Sequence, residues 1–257
     1  MEKTRISNVA SVGIIFNATN PSQIFIEMKD GGHPIKLVRG QLCPIGGNWI
    51  GEAAKADRNT RDTFLREVDE ELSFERPIRD SIELALLGQA GITNFTPTPA
   101  PTVKPTARER QDLEYIKAVI KTSAFEFGDY LDTVSKDALD AADPENKRDG
   151  FTTLASYWQV PLERDQWQVL TRLQKKFGNL SNESITLVTS LDEIVRTGTK
   201  TAFGHDGVLK LFFQLRGYVA AQYFPLVAGV KSVFAGPPLA TYEAYLEKYD
   251  VAKKPAM

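Results

Sequence analysis

The segment Arg66-Glu67-Val68-Asp69-Glu70-Glu71-Leu72-Ser73-Phe74 concentrates carboxylates beside residues that suit a core. On a helix, like charges three or four positions apart repel by a few tenths of a kcal/mol per pair. With Glu67 set at zero and about 100° per residue, Glu70 falls near −60° and Glu71 near +40°. The three glutamates therefore share one face, and Asp69 points to the far side. Leu65, Val68 and Leu72 form an adjacent apolar stripe that can pack on a sheet. Clustered carboxylates invite a cation between them. A hard divalent ion with oxygen ligands, Mg²⁺ or Mn²⁺, suits the chemistry and binds phosphate oxygens in turn. A solvated acidic helix face is the alternative that the helix alone leaves open.

The surrounding residues narrow the choice. Gly46 and Gly47 follow Pro44-Ile45, Glu52 stands six positions after Gly46, and the acidic helix comes next. This order resembles the Nudix box: glycine, five residues, glutamate, seven residues, then Arg-Glu-apolar-x-Glu-Glu-x-Gly-apolar. The resemblance runs from residue 46 to residue 74, with two departures. Thirteen residues separate Glu52 from Arg66, and Ser73 stands at the final glycine. That glycine commonly closes a helix in the left-handed region, which serine enters at modest cost.

The resemblance implies an α+β fold, a mixed β-sheet sandwiched between helices. It implies a hydrolase that cleaves the pyrophosphate linkage of a nucleoside diphosphate joined to another group. Glu67, Glu70 and Glu71 would bind Mg²⁺ or Mn²⁺, and Glu70, Glu71 and Arg66 would carry catalysis. Arg66 would hold the loop against the helix, with Glu52 as its partner or as an outer ligand. A backbone carbonyl of Gly46 or Gly47 would supply another oxygen. The altered box leaves an alternative, a non-catalytic Nudix-fold module that binds nucleotides. The general base stays open between the helix glutamates and a later acid, Glu145 or Asp149.

Other residues could reach a substrate. Trp49, in the Gly-rich stretch, could stack on a base or pack inward. Arg39 could contact phosphate or make an exposed ion pair. His205 and Asp206, in Phe203-Gly-His-Asp-Gly207, could touch phosphate or sugar, or cap a helix. Cys43 has no base in sight and is not read as a nucleophile. With only His33 and His205, a histidine metal site or a Ser-His-Asp triad has little support.

The elements that must position these groups follow from pattern. Residues 9–16, 23–28, 34–38, 82–92, 114–125 and 153–162 read as strands. A helix begins after Asn59, a suitable cap, and another covers 164–177. Residues 184–198 read as a short strand and a helical turn, and 206–224 as the longest helix. Residues 96–106 are Pro-rich and read as an exposed excursion within an insertion at about 93–110. Residues 126–150 read as a connection, charged over 136–150. The 257 residues are expected to form a single domain, with C-terminal helices over about 206–250 that could cover the substrate or form a homodimer interface. A net charge of −2 gives no sign of a nucleic-acid surface, and no apolar run suffices to span a bilayer. One cysteine excludes an intrachain disulfide and fits a cytoplasmic protein.

Overall fold

The computed structural model describes residues 3–49, 57–74, 104–181 and 184–252. Its centre is the strand β2 (Asn8–Asn17), after a short β1 (Thr4–Ile6). β2 turns through Asn17 into β3 (Asn20–Met28), where Asn17 Oδ1 accepts from the Thr19 amide and hydroxyl. After β4 (Leu42–Cys43), β5 (Ile45–Asn48) returns antiparallel along the first half of β2. Helix α1 (Thr60–Glu71) and helix α2 (Ala107–Ser123) precede β6 (Phe125–Val134), α3 (Lys136–Ala142) and β7 (Phe151–Leu162). There follow α4 (Arg164–Phe177), β8 (Ile185–Ser190), α5 (Leu191–Thr197) and α6 (His205–Gln214). The chain ends in β9 (Val230–Gly236), α7 (Tyr242–Lys248) and β10 (Tyr249–Val251).

The main sheet is mixed: β2 runs parallel to β7 from Asn8↔Thr153 to Asn17↔Leu162, and the remaining pairs are antiparallel. Alternation along β2 builds two cores. Val12, Ile14 and Phe16 face α5 and α6, where Ile194, Leu209 and Phe212 are buried. Ile15 faces α1, α2 and α4, meeting Phe64, Ile116 and Trp167. The expected α+β layering is therefore present, with helices on both faces of a mixed sheet.

Several local expectations hold. Asn59 caps α1, its side chain accepting from the Asp62 amide at 2.9 Å. The helix 164–177, the strand at 153–162 and the strand and helix within 184–198 appear where the pattern put them. Others are corrected. Residues 114–125 lie mostly in α2, because Leu113, Ile116 and Ile120 share a helical face and Thr106 with Glu109 closes a capping box. Residues 34–38 hold a 3₁₀ turn rather than a strand. The long helix stops at Gln214; Gly217 turns at φ 79° and a second 3₁₀ turn follows. The 126–150 connection contains most of β6 and all of α3, and the C-terminal region contains β9 beside its helices. The strand expected at 82–92 and most of the Pro-rich excursion lie outside the described residues. Among the described residues, no helix is long and apolar enough to cross a membrane.

Helix α1 approaches the sheet through missing side chains. A Cβ on Gly13 would lie 2.3 Å from the Phe64 ring, so the glycine makes the seat for that ring. Gly13→Ala is expected to overpack this seat and cost about 1–3 kcal/mol. Phe64→Leu in the Gly13→Ala background should cost less than the two single changes added together. Denaturant midpoints of the four proteins measure the coupling, and strict additivity would contradict the seat.

Candidate functional site

The face of α1 that carries Glu67, Glu70 and Glu71 meets β5. Gly46 donates its amide to Glu71 Oε2 at 3.2 Å, in a buried contact. A Cβ on Gly47 would fall 2.4 Å from the Glu67 Cδ, so this glycine leaves the space in which that carboxylate sits. Glu67 and Glu71 are buried, whereas the Glu70 side chain is partly exposed. The three glutamates thus share one face, as the helical spacing predicts, and two of them rest on the glycine pair.

Arg66 ties this arrangement together. Its Nε donates to Asp57 Oδ2 at 2.9 Å, its Nη1 to Glu67 Oε1 at 2.6 Å and Glu70 Oε2 at 2.9 Å, and its Nη2 to the Asn48 carbonyl at 3.2 Å. Burial works against the guanidinium charge, and Glu67 with its hydrogen-bonded acidic neighbours more than offsets this, so its pKa is raised. These contacts join Asp57 and the end of β5 to the helix. The acid Arg66 meets here is Asp57, and Glu52 lies outside the described residues. Eight residues separate Asp57 from Arg66, close to the seven of the box, so the extra length falls between Gly46 and this acid.

Two further charged groups stand nearby, Glu27 on β3 and Lys29 just past its end. Lys29 Nζ lies 3.4 Å from Glu27 Oε2, and Glu27 is fully buried. Burial alone would depress the Lys29 ammonium; Cys43, Glu27 and Glu71 outweigh it, and its pKa is raised. Burial pushes the Cys43 thiol up to about 12, against the pull of Lys29, so Cys43 is a protonated core side chain. Sequence pattern did contain a signal for Glu27: it falls on the same strand face as Phe25, a buried position.

A cleft of about 530 Å³ opens beside Gly46 and Gly47. Lys29, Asp149, His205 and Asp132 also line it. Of the two later acids, Asp149 reaches the cleft; Glu145 is exposed elsewhere on the same connection. Arg39 is not among the lining residues. Its Nε instead donates to the His33 carbonyl at 2.7 Å, which braces a residue of the wall. Trp49 also turns away from the cleft. Its ring stacks on Tyr242 at 4.2 Å and 9°, within a cluster that holds Ile6, Val9 and Tyr245.

The oxygen donors about α1, from Glu27, Asp57, Glu67, Glu70 and Glu71, are of the type a hard cation takes, and Arg66 and Lys29 stand among them. Glu27 Oε1 is buried with no hydrogen-bond partner among the described residues. Among those residues, however, no three acidic, histidine or cysteine side chains are gathered as a metal cluster. Arg66 draws the Glu67 and Glu70 carboxylates together instead. No protein-family model matches the chain, and no curated protein is similar to it.

The two glycines should separate on substitution. Gly47→Ala displaces only the mobile end of Glu67, so it should fold with a nearly unchanged melting temperature while shifting that carboxylate. Gly46 sits at φ 143°, and a Cβ there would lie 2.1 Å from the Ser11 carbonyl oxygen. Gly46→Ala should cost several-fold more stability. Asp57→Ala removes a buried partner of Arg66 and should cost roughly 3 kcal/mol. Thermal and denaturant unfolding check all three, and equal losses for the two glycines would contradict the geometry.

Proposed function

We propose that this chain adopts a Nudix fold and hydrolyses the diphosphate linkage of a nucleoside diphosphate joined to another group, with Mg²⁺ or Mn²⁺ as cofactor. The observation that carries the reading is the seating of Glu67 and Glu71 on Gly47 and Gly46, beside an open cleft. A merely solvated acidic face needs neither glycine nor burial. Glu67, Glu70 and Glu71 would hold the metal. Once bound, the metal would neutralise the diphosphate and lower the pKa of the attacking water.

The chain's own groups divide the remaining work. Lys29, on the cleft wall, offsets phosphate charge. Arg66 keeps the β5 end and α1 in register through Asn48 and the acids. Water attacks phosphorus, the P–O bond to the leaving phosphate or nucleotide breaks, and the proton of the water passes to a carboxylate. Asp149, at the cleft, and the Glu70–Glu71 pair are the candidate bases. A second reading is a binding module that holds nucleotide without turnover. The Arg66 bridges to Glu67 and Glu70 favour it, because they occupy carboxylates that a metal would use.

Release of phosphate or nucleotide with Mg²⁺, across a panel of nucleoside diphosphate derivatives, separates the readings. The wild type should turn over at least one member. Glu70→Gln with Glu71→Gln should lower its kcat/KM by roughly 10²-fold or more, and chelation of Mg²⁺ should abolish turnover. If Asp149 is the base, Asp149→Asn should reduce kcat with little change in KM. Binding without turnover across the panel would establish the module instead.

A further inference from the structure

The hydrolytic reading leaves one wall of the cleft without a task. Phe203, His205 and Asp132 line it, and Tyr157 joins the last two. Its hydrogens can be counted. The Tyr157 hydroxyl donates to Asp132 Oδ2 at 2.7 Å, and the Ser232 hydroxyl donates to Asp132 Oδ1. A hydroxyl has one hydrogen, so with Asp132 ionised the contact between Tyr157 and His205 Nδ1 is made by Nδ1–H donating to the phenol oxygen. Burial, with Lys29 adding to it, holds the His205 imidazole neutral and pushes its pKa down to about 3. A neutral ring protonated at Nδ1 has a bare acceptor at Nε2. The network spends its donors internally, and the wall keeps acceptor capacity. At His205 and Asp132 a ligand has to bring the hydrogens.

The shape of the wall names the kind of ligand. Phe203, Phe151 and His33 supply rings, and Lys29 and Arg148 supply positive charge. Phe203 holds φ 56°, the one positive φ outside glycine among the described residues. Such a backbone is strained for a bulky residue, and strain of this kind collects at binding sites. Neighbouring bonds impose it: the Ala202 amide donates to the Leu42 carbonyl at 2.7 Å and the His205 amide to the Ala202 carbonyl at 3.0 Å.

We propose that this wall is a base-recognition subsite that seats a nucleobase bearing an amino group, with its ring against Phe203 and its amino hydrogens on His205 and Asp132. The proposal rests on the nucleotide reading above for the class of ligand. It adds a switch. The groups facing Asp132 are Ser232 from β9, Tyr157 from β7, and His205 and Asp206 from α6, with Tyr130 on its own strand. Burial, with Asp206 adding to it and the hydroxyls opposing, raises the Asp132 carboxyl to about 7. Protonated, Asp132 donates to Tyr157, Tyr157 donates to His205 Nδ1, and Nε2 carries the hydrogen. The wall then changes from acceptor to donor, and the preference for an amino group weakens below neutral pH.

Calorimetric titration of the metal-free full chain with nucleoside monophosphates tests this. Guanosine and adenosine monophosphate are compared with inosine monophosphate, and cytidine with uridine monophosphate. At least one amino-bearing ligand should bind about tenfold or more tightly than its amino-free counterpart at pH 8, with the ratio shrinking at pH 6. Phe203→Gly suits the backbone and keeps the fold, yet should weaken the preferred ligand several-fold. Tyr157→Phe should retain binding and lose the pH dependence of the ratio. Equal affinities within every pair, no binding by any monophosphate, or wild-type affinity in Phe203→Gly would overturn the subsite. Selective binding without turnover of diphosphates sinks the hydrolase reading and keeps this one; turnover with no base preference does the reverse.

Discussion

The close approach of α1 to two paired strands is the constraint on which the candidate site depends. Gly13 on β2 seats Phe64, Gly47 on β5 leaves room for Glu67, and the Gly46 amide takes Glu71. These helix residues recur at three- and four-residue steps and so lie along one stripe. The strands are in register beneath them, with Val12 opposite Gly46 and Gly13 opposite Ile45. A side chain on Gly13 would push on the Phe64 ring, one on Gly46 would meet the β2 backbone, and one on Gly47 would displace the Glu67 carboxylate. The apolar anchor and the acidic face thus lie along one contact between α1 and the paired strands.

That contact buries charge, and burial is tolerable only where each charge meets a partner. Glu71 has a backbone donor, and Glu67 and Glu70 share the Arg66 guanidinium, which also reaches Asp57 and Asn48. An arginine serves here where a lysine would not, because its planar fork spreads several donors over acceptors from two segments. Lys29, just past the end of β3, and Glu27 on that strand repeat the theme with a single long contact.

Much of this was legible in the sequence, for a physical reason. Apolar periodicity exposed α1 and α4, because their buried faces follow the helical repeat, and runs of β-branched and aromatic residues exposed β2 and β7. Asn59 capped where a capping residue should. The failures concentrate where polar residues face inward. β6 carries Asp129 and Asp132 at buried positions, so its alternation looks like that of a charged connection. In α2, a run rich in Ile and Val suits a strand as well as a helix, and the capping box at Thr106 was the better guide. Asp57 escaped notice because the box pattern fixes the acid by its distance from Gly46. The structure places it by its distance from Arg66, the group it actually touches.

The contact of α1 with the sheet also depends on how the segment between β5 and α1 is anchored. Its two ends are held by the same residue. Tyr242, at the start of α7, stacks on Trp49 at the β5 end and donates its amide to the Arg58 carbonyl at the α1 end. Its hydroxyl lies 2.5 Å from Thr63 Oγ1 inside the helix. α7 is anchored in turn by Tyr245, which donates to the buried Asp129 at 2.8 Å. Loop-closure entropy grows only logarithmically with length, so added residues between clamped ends cost little. The C-terminal segment therefore acts as a brace on the two anchor points that flank the glycine–carboxylate contact.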